Sequence, residues 1–177
     1  MCLKNSSSLI DKVLKYLRMP LDVNEEIINN VKECIDEIDN TIGFKYIYKK
    51  YSQKLDFLKN EPYSSFLKNC EEYYLVAVTL GVEVERKINY YSKVNASKMV
   101  ILDAAASAIL EEKANEFEKT LGDNLTYRFC PGYQKSSIED IKIINQELKA
   151  EKIGIQILDS CMMIPQKSMI GIVGIIK

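Results

Sequence analysis

The sequence predicts an α+β domain in which helices cover a mainly antiparallel sheet. Three observations carry that expectation. Apolar residues recur at helical spacing over residues 9–38 and again beyond residue 97. Two continuous apolar, β-prone runs, 73–80 and 169–176, read as buried strands, and at Ile153, Ile155 and Ile157 the period changes from helical to alternating. A chain of 177 residues has room for one well-buried core, so 1–177 is read as a single domain with a helical segment over 1–42.

Ser6, Ser7 and Ser8 offer hydroxyl caps ahead of Leu9, Ile10, Val13, Leu14 and Leu17, which share one helical face and end before Met19-Pro20. Asp22 with Glu25 three residues on reads as a capping box for a second helix. Its face carries Ile27, Ile28, Val31, Cys34, Ile35 and Ile38, and Gly43 is expected to stop it. Residues 44–51 are aromatic and lysine-rich, with enough alternation for a strand that exposes a face. Asn60-Glu61-Pro62-Tyr63 is a turn, 73–80 is the central strand, and Gly81 ends it. Val84, Ile88 and Tyr91 give a short helix, and Asn95 or Ser97 opens the longest one, over 97–121. Ser136 and Ser137 with Glu139 and Asp140 cap a further helix carrying Ile138, Ile141, Ile144 and Leu148. An alternating strand follows at Ile153, Ile155 and Ile157. The last strand, 169–176, contains Gly171 and Gly174, which permit close backbone packing.

Composition narrows the function. Lys and Arg number 24 against 25 Asp and Glu, so bulk electrostatics argue against nucleic acid as a partner. The tyrosines and lysines of 44–51 fit a strand over a core better than a base-stacking surface. Residues 1–6 lack the apolar core of a signal peptide, and no apolar run approaches the roughly 18 residues of a membrane span. A cytoplasmic protein without membrane contact is expected. The five cysteines, Cys2, Cys34, Cys70, Cys130 and Cys161, form no C-x-x-C pair and read as reduced, buried thiols. The chain has no histidine, which removes the usual general base, zinc ligand and axial ligand to cobalt or haem. No metal site and no catalytic residue are assigned, and any metal or corrinoid is expected on a partner.

Two stretches carry more specialised chemistry. Arg128-Phe129-Cys130-Pro131-Gly132-Tyr133 reads R-x-x-x-G-Y: a guanidinium that can hold a carboxylate through two parallel hydrogen bonds, a sharp Pro-Gly corner and an aromatic face. These groups suit an amino-acid-bearing nucleotide, while the six-residue pattern taken alone fits a structural arginine beside a turn better. On the long helix, Asp103, Ser107 and Glu111 fall at steps of four and line one side, beside Ala104, Ala105, Ala106 and Ala108. That stripe lets a ligand approach the backbone closely, or it is a solvated face with alanines used for propensity.

The Arg128 stretch, followed by Asp159-Ser160-Cys161-Met162-Met163-Ile164-Pro165-Gln166-Lys167-Ser168-Met169-Ile170-Gly171, resembles the activation (reactivation) domain of cobalamin-dependent methionine synthase. The resemblance spans 70–177 and is strongest in these two segments, and the N-terminal helices resemble those of short, free-standing relatives. It implies a domain that binds S-adenosylmethionine and offers its methyl group to a cobalamin carried by another protein, after cob(II)alamin has received an electron from a flavodoxin- or ferredoxin-like donor. The implied partner is a cobalamin-binding methionine synthase lacking its own activation domain. Arg128, Gly132 and Tyr133 fall at the family's ligand-holding positions, Cys130 at one whose main chain touches the ligand, and Glu111 aligns with a carboxylate from the preceding helix. Asp103, Ser107, Ser160, Met163 and Ser168 are further candidates for lining the pocket. The chain departs from the family at Gly122, where fused members carry a carboxylate, and it ends at Lys177, short of another ligand-contacting tyrosine. These departures admit an alternative: a non-catalytic module that docks on a corrinoid protein or another methyltransferase, with S-adenosylmethionine binding lost.

Overall fold

The computed structural model describes residues 7–177, so Cys2 and the expected cap at Ser6 lie outside the described residues. The chain divides into two compact units that interleave in sequence. One takes the described residues up to Phe44 together with Leu80–Phe117, and the other takes Lys45–Thr79 with Glu118–Lys177. No single cut along the chain separates them.

The first unit is helical. It holds α1 (Ser7–Tyr16), α2 (Glu25–Asp39), α4 (Val82–Val94) and all but the end of α5 (Ala96–Lys119). Leu9, Ile10, Val13 and Leu14 of α1 and Val31, Cys34, Ile35 and Ile38 of α2 are buried, as their spacing predicts. Each fully buried aliphatic side chain of this kind contributes about 2 kcal/mol. The cap of α2 differs from the expected Asp22: Asn24, extended at φ −66 and ψ 162, accepts from the Ile27 N–H through Oδ1 at 2.9 Å. Asp22 stands two residues too early to reach an orphan amide of the first turn. Gly43 does not stop α2 either. The helix ends at Asp39, and the Thr41 and Ile42 amides both return to Ile38 O. Gly43 instead gives its N–H to Leu80 O at 2.9 Å, where Gly81, at φ +89, approaches its backbone closely.

Glu37 ties three helices of this unit together. It accepts from Lys87 and Tyr91 of α4 and from Lys98 of α5, and Lys98 also lies over the Tyr91 ring. Burial alone would push the Glu37 carboxyl up, but the bonds from Lys98, Lys87 and Tyr91 outweigh it and hold the group below its usual range. At the start of α5 the Asn95 side chain accepts from the Lys98 N–H at 3.0 Å, so Asn95 is the opener.

The second unit is built on an antiparallel sheet of order β1-β2-β5, with β1 at Lys45–Tyr51, β2 at Cys70–Thr79 and β5 at Ser168–Ile176. The most continuous apolar run, β2, is the central strand, since burial on both faces is what such a run requires. A one-turn helix α3 (Tyr63–Phe66) follows the expected turn at Asn60, and α6 (Asp140–Leu148) packs near the sheet. Ile138 lies ahead of α6 and is exposed. The core of this unit gathers Leu58, Tyr63, Leu67, Tyr73, Phe129, Ile144 and Ile172.

The strand expected through Ile153, Ile155 and Ile157 shrinks to two residues. Ala150–Ile153 is a short 3-10 turn, and only β3 (Gln156–Ile157) pairs with β4 (Met163–Ile164). Lys149 at φ 54 and Gly154 at φ 90 turn the chain left-handed, once before Ile153 and again between Ile153 and Ile155, which no continuous strand tolerates. Their burial survives without the strand: Ile155 is fully buried, with its N–H on Ala150 O.

Candidate functional site

Backbone pairing positions the Arg128 corner. Thr126 N–H reaches Gly174 O at 2.9 Å, and Phe129 exchanges both of its backbone hydrogen bonds with Ile172 at 2.8 Å. Residues 125–129 therefore run along the outer edge of β5, with bridges Leu125 to Ile175 and Phe129 to Ile172. Phe129 is driven into the core, where it meets Tyr63 and Phe66 at 5.2 and 5.0 Å between ring centres. Ile170 and Ile172 also face that core, so Gly171 between them faces the other side of the sheet. Arg128 lays its aliphatic stem over Gly171: a Cβ there would stand 2.6 Å from Arg128 Cγ.

The guanidinium of Arg128 meets a residue the sequence did not mark. Its Nη1 donates to Glu118 Oε1 at the end of α5, and both side chains are about nine-tenths buried. Burial pushes the Glu118 carboxyl above its usual range even though Arg128 pulls it down. The Cys130 thiol also contacts Arg128, and burial raises it as well, so it is a neutral thiol at neutral pH. Glu118 stands ten residues before Arg128, across a loop, with no helical or strand period to link the two.

Beyond Arg128 the chain closes a tight corner. Gly132 adopts φ +91, and a Cβ there would come within 2.9 Å of Ile138 Cδ1. Its N–H donates to Ser136 Oγ at 2.9 Å, the Tyr133 N–H to Cys130 O at 3.4 Å, and Tyr133 O accepts from both the amide and the hydroxyl of Ser136. Ser136 was expected only as a helix cap, whereas here it fastens the corner. The Tyr133 ring is 69% exposed and so remains open to a planar or cationic group. Both amides are engaged inside the loop, so the corner offers the Tyr133 ring and carbonyls rather than free N–H donors.

The second expected segment is partly built into the fold and partly exposed. Ser168 is buried, with Oγ 2.7 Å from Pro165 O and 2.8 Å from Thr79 Oγ1, and it locks the start of β5 to the end of β2. Met163 packs against the core and Cys161 is part of it, at φ 66 in a turn closed by Leu158 N–H to Met162 O. Ser160 is exposed, and Lys142 donates to the neighbouring Asp159 O. Of this segment, Ser168 and Met163 have structural partners that account for their places.

Asp103, Ser107 and Glu111 belong to the helical unit, whereas Arg128, Cys130, Gly132 and Tyr133 belong to the sheet unit. Within its unit the stripe faces α1. Asp103 and Ser107 line a cleft of about 280 Å³ with Tyr16, Leu17, Arg18 and Met99. Glu111 accepts from Tyr16 OH at 3.3 Å beside Lys12 and Lys15, and Lys12 pairs with Glu112. The Ser107 hydroxyl turns back to Asp103 O of its own helix. Ala104, Ala105, Ala106 and Ala108 are all buried, so they serve close helix packing rather than solvent-side propensity.

Among the described residues no group of three His, Cys, Asp or Glu side chains could hold a metal ion, and no helix is long and apolar enough to cross a membrane. No family model matches the chain, and no curated protein does. Solved structures do. A crystal structure of the MetH reactivation domain bound to AdoHcy superposes with a TM-score of 0.69 over 97% of this chain and 77% of that one, at 13% identity. The chain has the fold of that domain, the α+β architecture that the Arg128 and Asp159 segments implied.

Proposed function

We propose that, on the fold it shares with the AdoHcy-bound MetH reactivation domain, this chain binds S-adenosylmethionine at the Arg128 corner and serves the reductive remethylation of a cobalamin held by a partner protein. The observation that carries the reading is the placement of Arg128, Gly132 and Tyr133: a guanidinium stem pinned over Gly171, followed at once by a left-handed corner and an open aromatic ring. Arg128 takes the carboxylate of the methionine moiety, and the Tyr133 ring offers its face to the adenine or the sulfonium. In the transfer the S–CH3 bond breaks as a bond forms to cobalt(I), and the sulfonium leaves as the neutral thioether of S-adenosylhomocysteine. No proton moves, so the chain's contribution is positioning, and the lack of histidine is no obstacle. The partner is a cobalamin-binding methionine synthase, and the electron that precedes the transfer comes from a flavodoxin- or ferredoxin-like donor.

A second reading, a docking module without ligand binding, is favoured by one observation: Glu118 already occupies part of the Arg128 guanidinium. Calorimetric titration with S-adenosylmethionine separates the two. Binding by the wild type and its loss in Arg128→Ala support the first reading. Absence of binding by the wild type, alone and with a cobalamin-loaded methionine synthase, overturns it. Conversion of the cob(II)alamin spectrum to that of methylcobalamin, in the presence of reductant, then tests the methyl transfer itself.

A further inference from the structure

We propose that Glu118 is the positioning residue of the Arg128 corner, and that it couples the arrival of a ligand carboxylate at Arg128 to the uptake of a proton by Glu118 itself. This rests on the reading that Arg128 receives a carboxylate. Once that is granted, the geometry supports the coupling. Arg128 is the sole cation in contact with Glu118 among the described residues, and both side chains are nearly out of water. From the corner the groups that bear on Glu118 are Arg128 and the neutral Cys130 thiol, and the β5 residue beneath the pair is Gly171, which brings no charge.

A second carboxylate entering this corner leaves two anions facing one guanidinium. Two like charges sharing a nearly dry site do not both stay ionised, and the group already disfavoured by burial accepts the proton. The balance is simple. A ligand carboxylate and a solvent proton enter, the Arg128–Glu118 ion pair becomes an Arg128–ligand ion pair, and Glu118 ends as a neutral acid able to donate a hydrogen bond. Before binding, the same pair fixes Arg128 over Gly171, so the guanidinium does not have to be ordered when the ligand arrives.

The test is calorimetry with S-adenosylmethionine on the full chain at pH 6.5, in phosphate, MES and imidazole, all of which buffer at that pH and whose ionisation enthalpies differ. The slope of observed enthalpy against buffer enthalpy counts protons taken up. For the wild type the expected count lies between about half and one, and affinity falls by up to about tenfold per pH unit as pH rises, the limit for one linked proton. Glu118→Gln, nearly isosteric, is expected to bind with no proton uptake and a flat pH profile. The wild-type buffer series stands without any variant, so poor folding of Glu118→Gln leaves the proposal testable. Binding with zero uptake, or the same uptake in wild type and Glu118→Gln, overturns this inference and leaves the S-adenosylmethionine reading intact. No binding heat from the wild type overturns both.

Discussion

Gly171 and Arg128 occupy a space that only one of them can fill with a side chain: a Cβ on Gly171 would stand 2.6 Å from Arg128 Cγ and 2.9 Å from Phe129 O. The second contact is with backbone that is itself bonded to Ile172, so it cannot swing aside. Gly171→Ala is therefore expected to cost about 1–3 kcal/mol of stability, as overpacking does, and to displace the guanidinium from its place. Urea unfolding measures the first effect, and S-adenosylmethionine titration the second. An alanine variant with wild-type stability and affinity would show that the stem of Arg128 is free to move.

Arg128→Ala removes the cation from a carboxylate that is mostly buried. The expected loss is about 3 kcal/mol at neutral pH, because a lone buried charge is left behind. Its pH dependence has a definite sign. The folded-state affinity of Glu118 for a proton is raised above that of the unfolded chain, so the ionised form opposes folding. The deficit is therefore smallest below the ordinary glutamate value of 4.5 and grows as pH rises through the folded value. The double variant Arg128→Ala/Glu118→Gln should recover part of the loss, and a thermal-unfolding cycle measures how much.

Glu37 gives the opposite slope in the helical unit. Its carboxyl is held below 4.5 by Lys98, Lys87 and Tyr91 against the effect of burial, so its stabilising effect is present above that pH and is lost as pH falls through the folded value. Glu37→Gln should cost about 1–2 kcal/mol at pH 7 and less at pH 3, measured by urea unfolding at each pH. Equal losses at both would mean that shape rather than charge holds α2, α4 and α5 together.

Ser168→Ala separates scaffold from ligand contact. The hydroxyl sits between Pro165 O and Thr79 Oγ1, so its removal leaves buried acceptors and is expected to cost about 1–2 kcal/mol. Affinity for S-adenosylmethionine is expected to stay unchanged. A loss of affinity without a loss of stability would return Ser168 to the ligand.

The sheet was readable because burial on both faces demands a run such as 73–80, and because Gly171 sits where β5 meets the Phe129 backbone; Gly174 instead makes room for the side chains of Cys70, Leu67 and Thr126. The helical faces of α1 and α2 were readable for the same reason, as one-sided burial imposes a period. Asp22 and Asn24 were not separable: both are good caps near Glu25, and the choice falls to whichever lies one residue before the first helical turn. Alternation at Ile153, Ile155 and Ile157 was real as burial and misleading as a strand, because two left-handed residues and the turn hydrogen bonds between them, not a strand ladder, set that path. Arg128 and Tyr133 stood out by chemistry. Glu118 could not, since one glutamate near the end of a charged helix looks like its neighbours until the loop folds back and presents an arginine to it. Ser168 carries the same lesson in reverse, as a hydroxyl beside a motif whose partners prove to be Thr79 and a carbonyl.

The run of 125–129 along β5 has a consequence for solubility. It covers one margin of the sheet with backbone, leaving β1 as the strand at the other end of the order. That strand places Lys45, Lys49 and Lys50 within seven residues. Lys49 and Lys50 are already committed to ion pairs with Glu147 and Glu72, so a neighbouring copy adding its own strand there would meet a charged edge, which guards against edge-to-edge aggregation.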